Sequence, residues 1–214
     1  NGLASGGQTP VSARLGSRTR CGVGEKVSAG KVMPGSAIFS ACGDYRYLLT
    51  RRLSDSPCSD DSPNEHGKLA TFIMLNPSTA DATRNDPTIR KCIGFARRWQ
   101  CDTLQVLNLF AVRATLPHDM KRATDPVGPE NLHWFAHALT PSATADHLVI
   151  CAWGVHGAHR GQDRAILRWL NEQGIAPFAL GLTQGGHPRH PLYVPYSVGL
   201  VGLGCNRVIN SSLC

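Results

Sequence analysis

The sequence predicts a three-layer α/β/α sandwich with a mostly parallel central sheet. From residue 69 onward, short apolar runs alternate with amphipathic helical segments, a pattern typical of strand–helix–strand units. Loops rich in Asn, Arg and His directly follow four of the predicted strands. Because the carboxyl ends of parallel strands meet at one edge of a sheet, these loops are expected to form one site there.

Four core strands are predicted from short apolar runs, as expected for strands buried on both faces. They cover residues 69–75, 103–109, 147–153 and 177–181. A further strand at 45–53 is expected near an edge of the sheet.

Three helices are predicted between these strands. The first begins at Asp86-Pro87, with Asp as N-cap and Pro in the first turn. The second covers about 129–139, and the third covers 162–173, where Gly174 provides a C-cap.

The 214-residue chain is long enough for one domain with its own core, which we expect at residues 41–196. Residues 1–40 are rich in Gly, Ser, Ala and Arg without a period, which predicts a disordered basic tail. Residues 197–214 are predicted to be an irregular C-terminal tail, and residues 54–67 a polar loop.

Composition excludes several classes of protein. No apolar run approaches the roughly 18 residues that span a bilayer, and the N-terminus lacks a signal-peptide core, so neither a membrane partner nor export is expected. The eight cysteines form no CxxC pair, which favours free thiols in a reducing cytoplasm and no structural zinc. No cofactor is expected, and the sequence does not predict an oligomeric state.

The net charge of +7 favours polyanionic partners such as DNA or nucleotides. Some of the positive charge lies in the predicted tail. The loops contribute Arg84, Arg113, Arg160 and Arg189, and guanidinium groups in converging loops favour a phosphate or carboxylate ligand.

The loop after the first core strand contains Asn76-Pro77-Ser78-Thr79 and Asp81. Proline makes the turn rigid, and the Asn76 amide is suited to holding a water or contacting the edge of a base. Ser78 and Thr79 add hydroxyl oxygens, and Asp81 is a candidate general base. The same residues also suit an Asx-type turn that closes on its own backbone, so both interpretations stay open.

Two further loops carry candidate binding residues. Asn108 ends a strand, and Arg113 follows it at a position suited to phosphate or carboxylate. Phe110 is either a stacking surface for a planar ligand or a core residue. His156 lies in a glycine-flanked loop and would titrate near neutrality, or is simply a polar surface residue.

The last loop, His187-Pro188-Arg189-His190-Pro191, is the most distinctive. Its prolines stiffen a cationic segment that would stabilise charge developing on a leaving group or phosphate. Metal binding by His187 and His190 lacks a nearby carboxylate to complete the ligand set. The chain has no Gly-x-Ser-x-Gly elbow, which disfavours acyl-transfer chemistry.

Four segments occur in an order that resembles a bacterial and phage family called domain of unknown function 1643, over about residues 44–195. They are FIMLNPSTAD at 72–81, NDPTIR at 85–90, NLF at 108–110 and GHPRHPLY at 186–193. The family name implies no particular activity.

A more distant resemblance is to the uracil-DNA glycosylase superfamily and its fold. Met74-Leu75-Asn76-Pro77-Ser78 is similar to the Gly-Ile-Asn-Pro-Gly motif of its mismatch-specific branch, and His187-Pro188-Arg189 to its His-Pro-Ser motif. The resemblance implies that Asn76 would hold the attacking water and that the His187 loop would contact DNA or the leaving base. Met74 and Arg189 depart from these motifs.

Three hypotheses follow, and the sequence leaves open whether the protein is an enzyme. The first is an N-glycosylase-type enzyme acting on nucleic acid or a nucleotide. The second is a non-catalytic binder of the same ligands, and the third is a hydrolase or transferase acting on a phosphorylated small molecule. The candidate catalytic residues are Asn76, Asp81 and His187. The candidate binding residues are Pro77, Ser78, Thr79, Asn108, Phe110, Arg113, His156, Arg189 and His190.

Overall fold

The computed structural model describes residues 35–53, 67–139 and 146–203. These residues form one seven-stranded sheet, in the order β1-β2-β4-β3-β5-β6-β7, together with four α-helices. The strands are β1 (Gly35–Phe39), β2 (Arg46–Arg52), β3 (Leu69–Met74), β4 (Thr103–Asn108), β5 (His147–Cys151), β6 (Phe178–Ala179) and β7 (Val201–Gly202). The helices are α1 (Pro87–Arg98), α2 (Pro117–Arg122), α3 (Asn131–Leu139) and α4 (Gln162–Glu172). The predicted α/β class is therefore confirmed.

The sheet is mixed, so the prediction of a mostly parallel sheet was wrong. Three strand pairs are parallel: β3–β4, β3–β5 and β5–β6. The other three are antiparallel: β1–β2, β2–β4 and β6–β7. A tight turn joins β1 to β2, and in it the Gly43 amide donates to the Ser40 carbonyl at 2.9 Å. Such a short connection allows only antiparallel pairing of the strands that it joins.

Two strands lie in stretches that were predicted to be tails. Strand β1 lies within the stretch predicted to be a tail, where it covers β2 and forms the sheet edge. Strand β7 lies within the predicted C-terminal tail. The remaining expectations for residues 1–34, 54–66 and 204–214 fall outside the described residues.

Successive strand residues point to opposite faces of the sheet, and each face carries its own hydrophobic cluster. Phe72 belongs to a cluster with Phe95 of α1. Its neighbour Ile73 belongs to a second cluster, with Phe135 of α3 and Leu170 of α4. These two clusters anchor the helices to the sheet, so the loops that follow the strands are held on a fixed base.

Helix α1 begins where the sequence predicted. The Asp86 carboxylate accepts a hydrogen bond from the Ile89 amide at 2.8 Å, and Pro87 occupies the first turn. Gly174, which follows α4, has φ +72° and so provides the left-handed residue that often ends a helix. Helix α2 was not predicted, because six residues are too few to show helical periodicity.

The cysteines differ from the expectation that all are free. Cys92, Cys101 and Cys151 are buried free thiols, but Cys42 is disulfide-bonded. Burial raises the pKa of the Cys92 and Cys151 thiols well above the ordinary value, so neither is a thiolate at neutral pH. The other four cysteines lie outside the described residues.

Candidate functional site

A cavity of about 580 Å³ lies at the carboxyl ends of β3, β4 and β5. Met74 and Asn108, the last residues of β3 and β4, line it together with Trp153, two residues beyond β5. The first turn of α1 adds Asp86 and Thr88. The cavity thus occupies the end of the sheet at which ligands bind in open α/β folds.

All four loops singled out in the sequence contribute to this cavity. The predicted site residues that line it are Asn76, Ser78, Asn108, His156, Arg189 and His190. Strand ends placed side by side in the sheet therefore bring together residues more than 100 positions apart in the chain.

Other predicted site residues lie elsewhere. Thr79, Asp81 and Arg113 line a second, more open hollow, which adjoins the cavity through Ser78. Phe110 is fully buried against His159 and lines neither space. Pro77 and His187 also line neither; the His187 main-chain amide donates to the Thr183 hydroxyl within its own turn.

Asn76 and Asp81 adopt different roles in the same loop. The Asn76 side-chain nitrogen donates to the Ala114 carbonyl at 2.7 Å and so ties two loops together. This bond orients the amide and leaves its oxygen available as an acceptor. Asp81 instead closes a local turn, because its carboxylate accepts from the amides of Thr83 and Arg84 at 2.9 and 2.8 Å. These bonds, with that from Thr83 the strongest influence, lower the pKa of Asp81.

Several buried polar atoms of the cavity wall have no partner within the part of the chain that the structure describes. Asn108 is 1% exposed, and neither its amide nitrogen nor its amide oxygen has a hydrogen-bond partner among the described residues. The same holds for Nε of Arg46 and Nε1 of Trp153. Of eight such atoms in the described part of the chain, four belong to this cavity. Leaving a buried polar group unpaired costs about 1–3 kcal/mol, so this wall is suited to a polar ligand.

Arg46 is a functional candidate that sequence reasoning missed. It is 2% exposed, lines the cavity, and donates from Nη1 to the Ala80 carbonyl at 2.7 Å. Burial lowers its pKa to about 10, an effect partly offset by Asp86, so the guanidinium is still charged at neutral pH. The sequence did contain a signal for this role, namely an arginine within the apolar strand sequence YRYLL. A charged side chain is rarely fully buried without a partner, so an arginine at such a position indicates a candidate binding residue.

Asp86 and Tyr193 were also missed as cavity residues. Asp86 was predicted as a helix cap in preference to a site residue, but it caps α1 and lines the cavity as well. Tyr193 lines the cavity, is 76% exposed, and has its ring centroid 5.9 Å from that of His190. Its ring is the exposed aromatic surface that had been sought in Phe110.

The two cavity histidines are neutral hydrogen-bond donors. Lys121 Nζ lies 3.2 Å from Nδ1 of His156, and because an ammonium has only donors, Nδ1 accepts and Nε2 carries the proton. The Leu192 amide donates to Nδ1 of His190 at 3.4 Å, which assigns the same tautomer. Burial lowers the pKa of both imidazoles, and the Lys121 charge lowers that of His156 further.

The cavity therefore combines two guanidiniums, one carboxylate and several neutral N–H donors. The guanidiniums belong to Arg46 and Arg189, and the carboxylate to Asp86. Such a set is suited to a ligand that carries carbonyl oxygens and negative charge.

A family model described as "Protein of unknown function (DUF1643)" matches residues 46–192, from β2 to the turn after His190. The chain belongs to this family. The matched segment of this DUF1643 protein contains Arg46, Asn108 and all four loops. No curated protein and no solved structure matches the chain.

The described residues contain neither a cluster of metal-binding side chains nor a helix that could span a membrane. Within residues 35–53, 67–139 and 146–203, no group of three or more His, Cys, Asp or Glu side chains could hold a metal ion. In the same ranges, none of the helices has the length and apolar character needed to cross a bilayer.

Proposed function

We propose that this DUF1643 protein hydrolyses an N-glycosidic bond and binds the nucleobase of its substrate in the cavity. The observation that carries the proposal is the Asn108 amide, buried with its donor and its acceptor both unpaired among the described residues. Adjacent donor and acceptor atoms on an amide match the complementary atoms on the edge of a base. A cavity of about 580 Å³ also falls in the size range of small-molecule sites.

Aromatic groups of the cavity provide surfaces for the base. The exposed ring of Tyr193 stands at the wall next to His190 and offers a face for stacking. Trp153 is buried and forms part of the apolar lining together with Met74. Stacking is tolerant of base identity, so the amide of Asn108 would supply the discrimination between bases.

The proposed reaction uses residues whose orientation is fixed. The Asn76 oxygen would accept a hydrogen bond from a water, because its amide nitrogen is held by Ala114. The water oxygen forms a bond to the sugar carbon as the bond from that carbon to the base nitrogen breaks. The departing base takes the electron pair, the attacking water loses one proton to solvent, and the base gains one proton from solvent, so that the products are the sugar hydroxyl and the neutral base. The Nε2–H groups of His156 and His190 would stabilise the negative charge on the base.

In the proposed reaction, neither Asp81 nor His187 is a catalytic group. The carboxylate of Asp81 is engaged in its own turn and faces the second hollow. His187 lies outside the cavity lining, so its role in this scheme is to shape the loop that presents Arg189 and His190.

The resemblance to uracil-DNA glycosylases supports this chemistry and leads us to propose the corresponding three-layer arrangement. The two hydrophobic clusters support it, because α1 packs with Phe72 and its same-face neighbours while α3 and α4 pack with Ile73 and its neighbours. The position of the Asn76 and His190 loops around one cavity agrees with the order of that superfamily's motifs.

The test measures release of free base by chromatography. Substrates are single- and double-stranded oligonucleotides containing uracil, hypoxanthine or mismatched thymine, together with free nucleosides and nucleotides. Asn76→Ala is expected to bind normally and lose about 100-fold or more in rate, whereas Asn108→Ala is expected to weaken binding. The exposed Asn171→Ala serves as the matched control.

One observation favours a second candidate, a non-catalytic nucleotide-binding protein. Asp86 is the carboxylate that lines the cavity, and it already accepts from the Ile89 amide as a helix cap. Binding that depends on Asn108, with no base released from any substrate, would support this second function and reject the hydrolase.

A further inference from the structure

We propose that Arg46 binds a terminal phosphate monoester, so that the ligand of this cavity is a free nucleotide and not an internal unit of a nucleic-acid strand. The identity of the ligand as a nucleotide rests on the proposed function. The binding of phosphate by Arg46 rests on separate observations and can be tested separately.

The first observation is that Arg46 is buried with at least one of its donors unpaired among the described residues. A guanidinium has five N–H donors in a planar fork, which matches the oxygens of a phosphate. Arg46 is 2% exposed, donates from Nη1 to the Ala80 carbonyl, and has Nε without a partner among the described residues. The unpaired donor belongs to a residue that lines the cavity.

The second observation is that no carboxylate of the described residues forms a salt bridge with Arg46, although Asp86 and Asp81 attract it from beyond salt-bridge distance. Within the described ranges the ion pair found is that of His118 with Asp119, on the surface. Asp86 lines the same cavity, but it caps α1 and forms no ion pair with Arg46. A buried charge without a counter-ion is costly, and an anionic ligand would remove that cost. Arg189 adds a second, exposed positive charge to the cavity.

The third observation separates a terminal phosphate from an internal phosphodiester. Because Arg46 is almost fully buried, the group that contacts it must enter the cavity, and an internal phosphodiester would then need a second exit for its chain. The second hollow would have to be this exit, because it adjoins the cavity: both spaces are lined by Ser78, Ala114 and Thr115.

That hollow is unfavourable for a phosphate backbone. Its lining includes the carboxylates of Asp44, Asp81 and Asp125. The guanidiniums of Arg84 and Arg113 line it too, but Arg113 donates to the Gly43 carbonyl and lies over the Phe39 ring. Three carboxylates against two guanidiniums give a negative surface, which repels a polyanionic strand.

The first experiment uses the unmodified protein and isothermal titration calorimetry. The ligands are inorganic phosphate, a nucleoside, its 5′- and 3′-monophosphates, its methyl phosphate diester, and a trinucleotide that carries the same base internally. At least one monophosphate is expected to bind about 10- to 100-fold more tightly than the nucleoside, because hydrogen bonds to charged groups contribute most. The diester and the trinucleotide are expected to lack most of this gain.

The pH dependence of binding identifies the monoester. The second ionisation of a phosphate monoester has a pKa of about 6, so its affinity is expected to rise between about pH 5 and 7. The methyl diester has no second ionisation and gives the reference profile. Equal profiles for the two ligands would contradict a monoester site.

The second experiment uses variants. Arg46→Lys keeps the charge but loses the planar fork, and is expected to lose about 10-fold in monophosphate affinity, while Arg46→Met loses the whole gain over the nucleoside. Arg98→Met, an exposed position on α1, is the matched control. Circular dichroism checks the fold of each variant, and the unmodified protein decides the question if Arg46→Met does not fold.

The outcomes for the two proposals are distinct. Monophosphate binding that depends on Arg46, without any base release, supports the phosphate site and rejects the hydrolase. Base release from nucleosides and monophosphates with equal KM supports the hydrolase and overturns the phosphate site. Equal affinity of the trinucleotide and the monophosphates would also overturn the phosphate site.

Discussion

Two arginines on the same strand, β2, show how burial can serve opposite purposes. Arg46 is 2% exposed and Arg51 is 5% exposed. Arg51 donates to the Asn85 side chain at 2.7 Å, to the Thr50 carbonyl at 2.9 Å, and to the Asp81 carbonyl. Arg46 donates to one carbonyl and keeps Nε unpaired among the described residues. The satisfied arginine fixes a loop, and the unsatisfied one faces a cavity.

The same contrast separates two buried asparagines, Asn131 and Asn108, each 1% exposed. The Asn131 amide nitrogen donates to the carbonyls of Asn108 and Leu109 at 2.9 and 3.2 Å, and so holds the end of β4 in place, although its amide oxygen is unpaired within the described residues. The Asn108 amide has neither of its polar atoms paired within the described residues. Burial alone therefore does not distinguish a structural polar residue from a candidate binding residue, whereas the bonding of its donor group differs between these two asparagines.

The largest effect is expected for Arg51→Met, which removes the bonds that hold the loop at residues 81–85 to the sheet. We expect a loss of about 3 kcal/mol in the free energy of unfolding, because several buried acceptors lose a charged donor together. Urea denaturation measures this value. Arg98→Met should stay within about 0.5 kcal/mol of the parent protein, since this side chain is exposed. A loss below about 1 kcal/mol for Arg51→Met would contradict the conclusion that Arg51, unlike Arg46, has a structural role in fixing a loop.

An intermediate effect of opposite sign is expected for Asn108→Leu. The two side chains are similar in size, and the substitution removes two unpaired buried atoms, so the free energy of unfolding should rise by about 1 kcal/mol. Ligand binding should be lost at the same time. Asn131→Leu should instead lose about 2 kcal/mol, because it strips the donor from two carbonyls. A destabilised Asn108→Leu variant would mean that this amide is satisfied within the protein.

The smallest effect concerns pH and a histidine remote from the cavity. Burial lowers the pKa of His147, whose Nε2 lies 2.8 Å from the Thr71 hydroxyl. Below the ordinary histidine pKa of 6.5, the unfolded chain binds a proton that the folded protein does not, so the free energy of unfolding decreases as the pH falls. Urea denaturation at several pH values should show a shallower decrease for His147→Gln. An unchanged slope would exclude His147 as a contributor.

The sequence predicted those elements whose signals are local. The cap at Asp86 and the apolar run that ends at Leu75 are each read from adjacent residues, and the structure has α1 and β3 at these positions. Strand β1 was missed because its stability comes from pairing with β2 and not from its own five residues. The antiparallel edges of the sheet were missed for the same reason, because the direction of a strand depends on the path of the chain between it and its partner strand.

The candidate site could be predicted only in part. The convergence of the four loops follows from strand order, so Asn76, Asn108 and His190 were identified as candidates before their positions were known. The difference between Asn108 and Asn131 could not be predicted, because it depends on which carbonyls the folded chain brings within reach. Arg46 was missed because the charge of a residue is evident in the sequence and its burial is not.

One close contact restricts the substitutions that this cavity can accept during evolution. A Cβ atom on Gly157 would lie 2.0 Å from Cδ1 of Trp153, so any other residue there would displace an indole that lines the cavity. A substitution at this position would therefore move the cavity wall, although Gly157 does not itself line the cavity. Among homologues that have Trp153, glycine should be conserved at this position, whereas its exposed neighbours should vary.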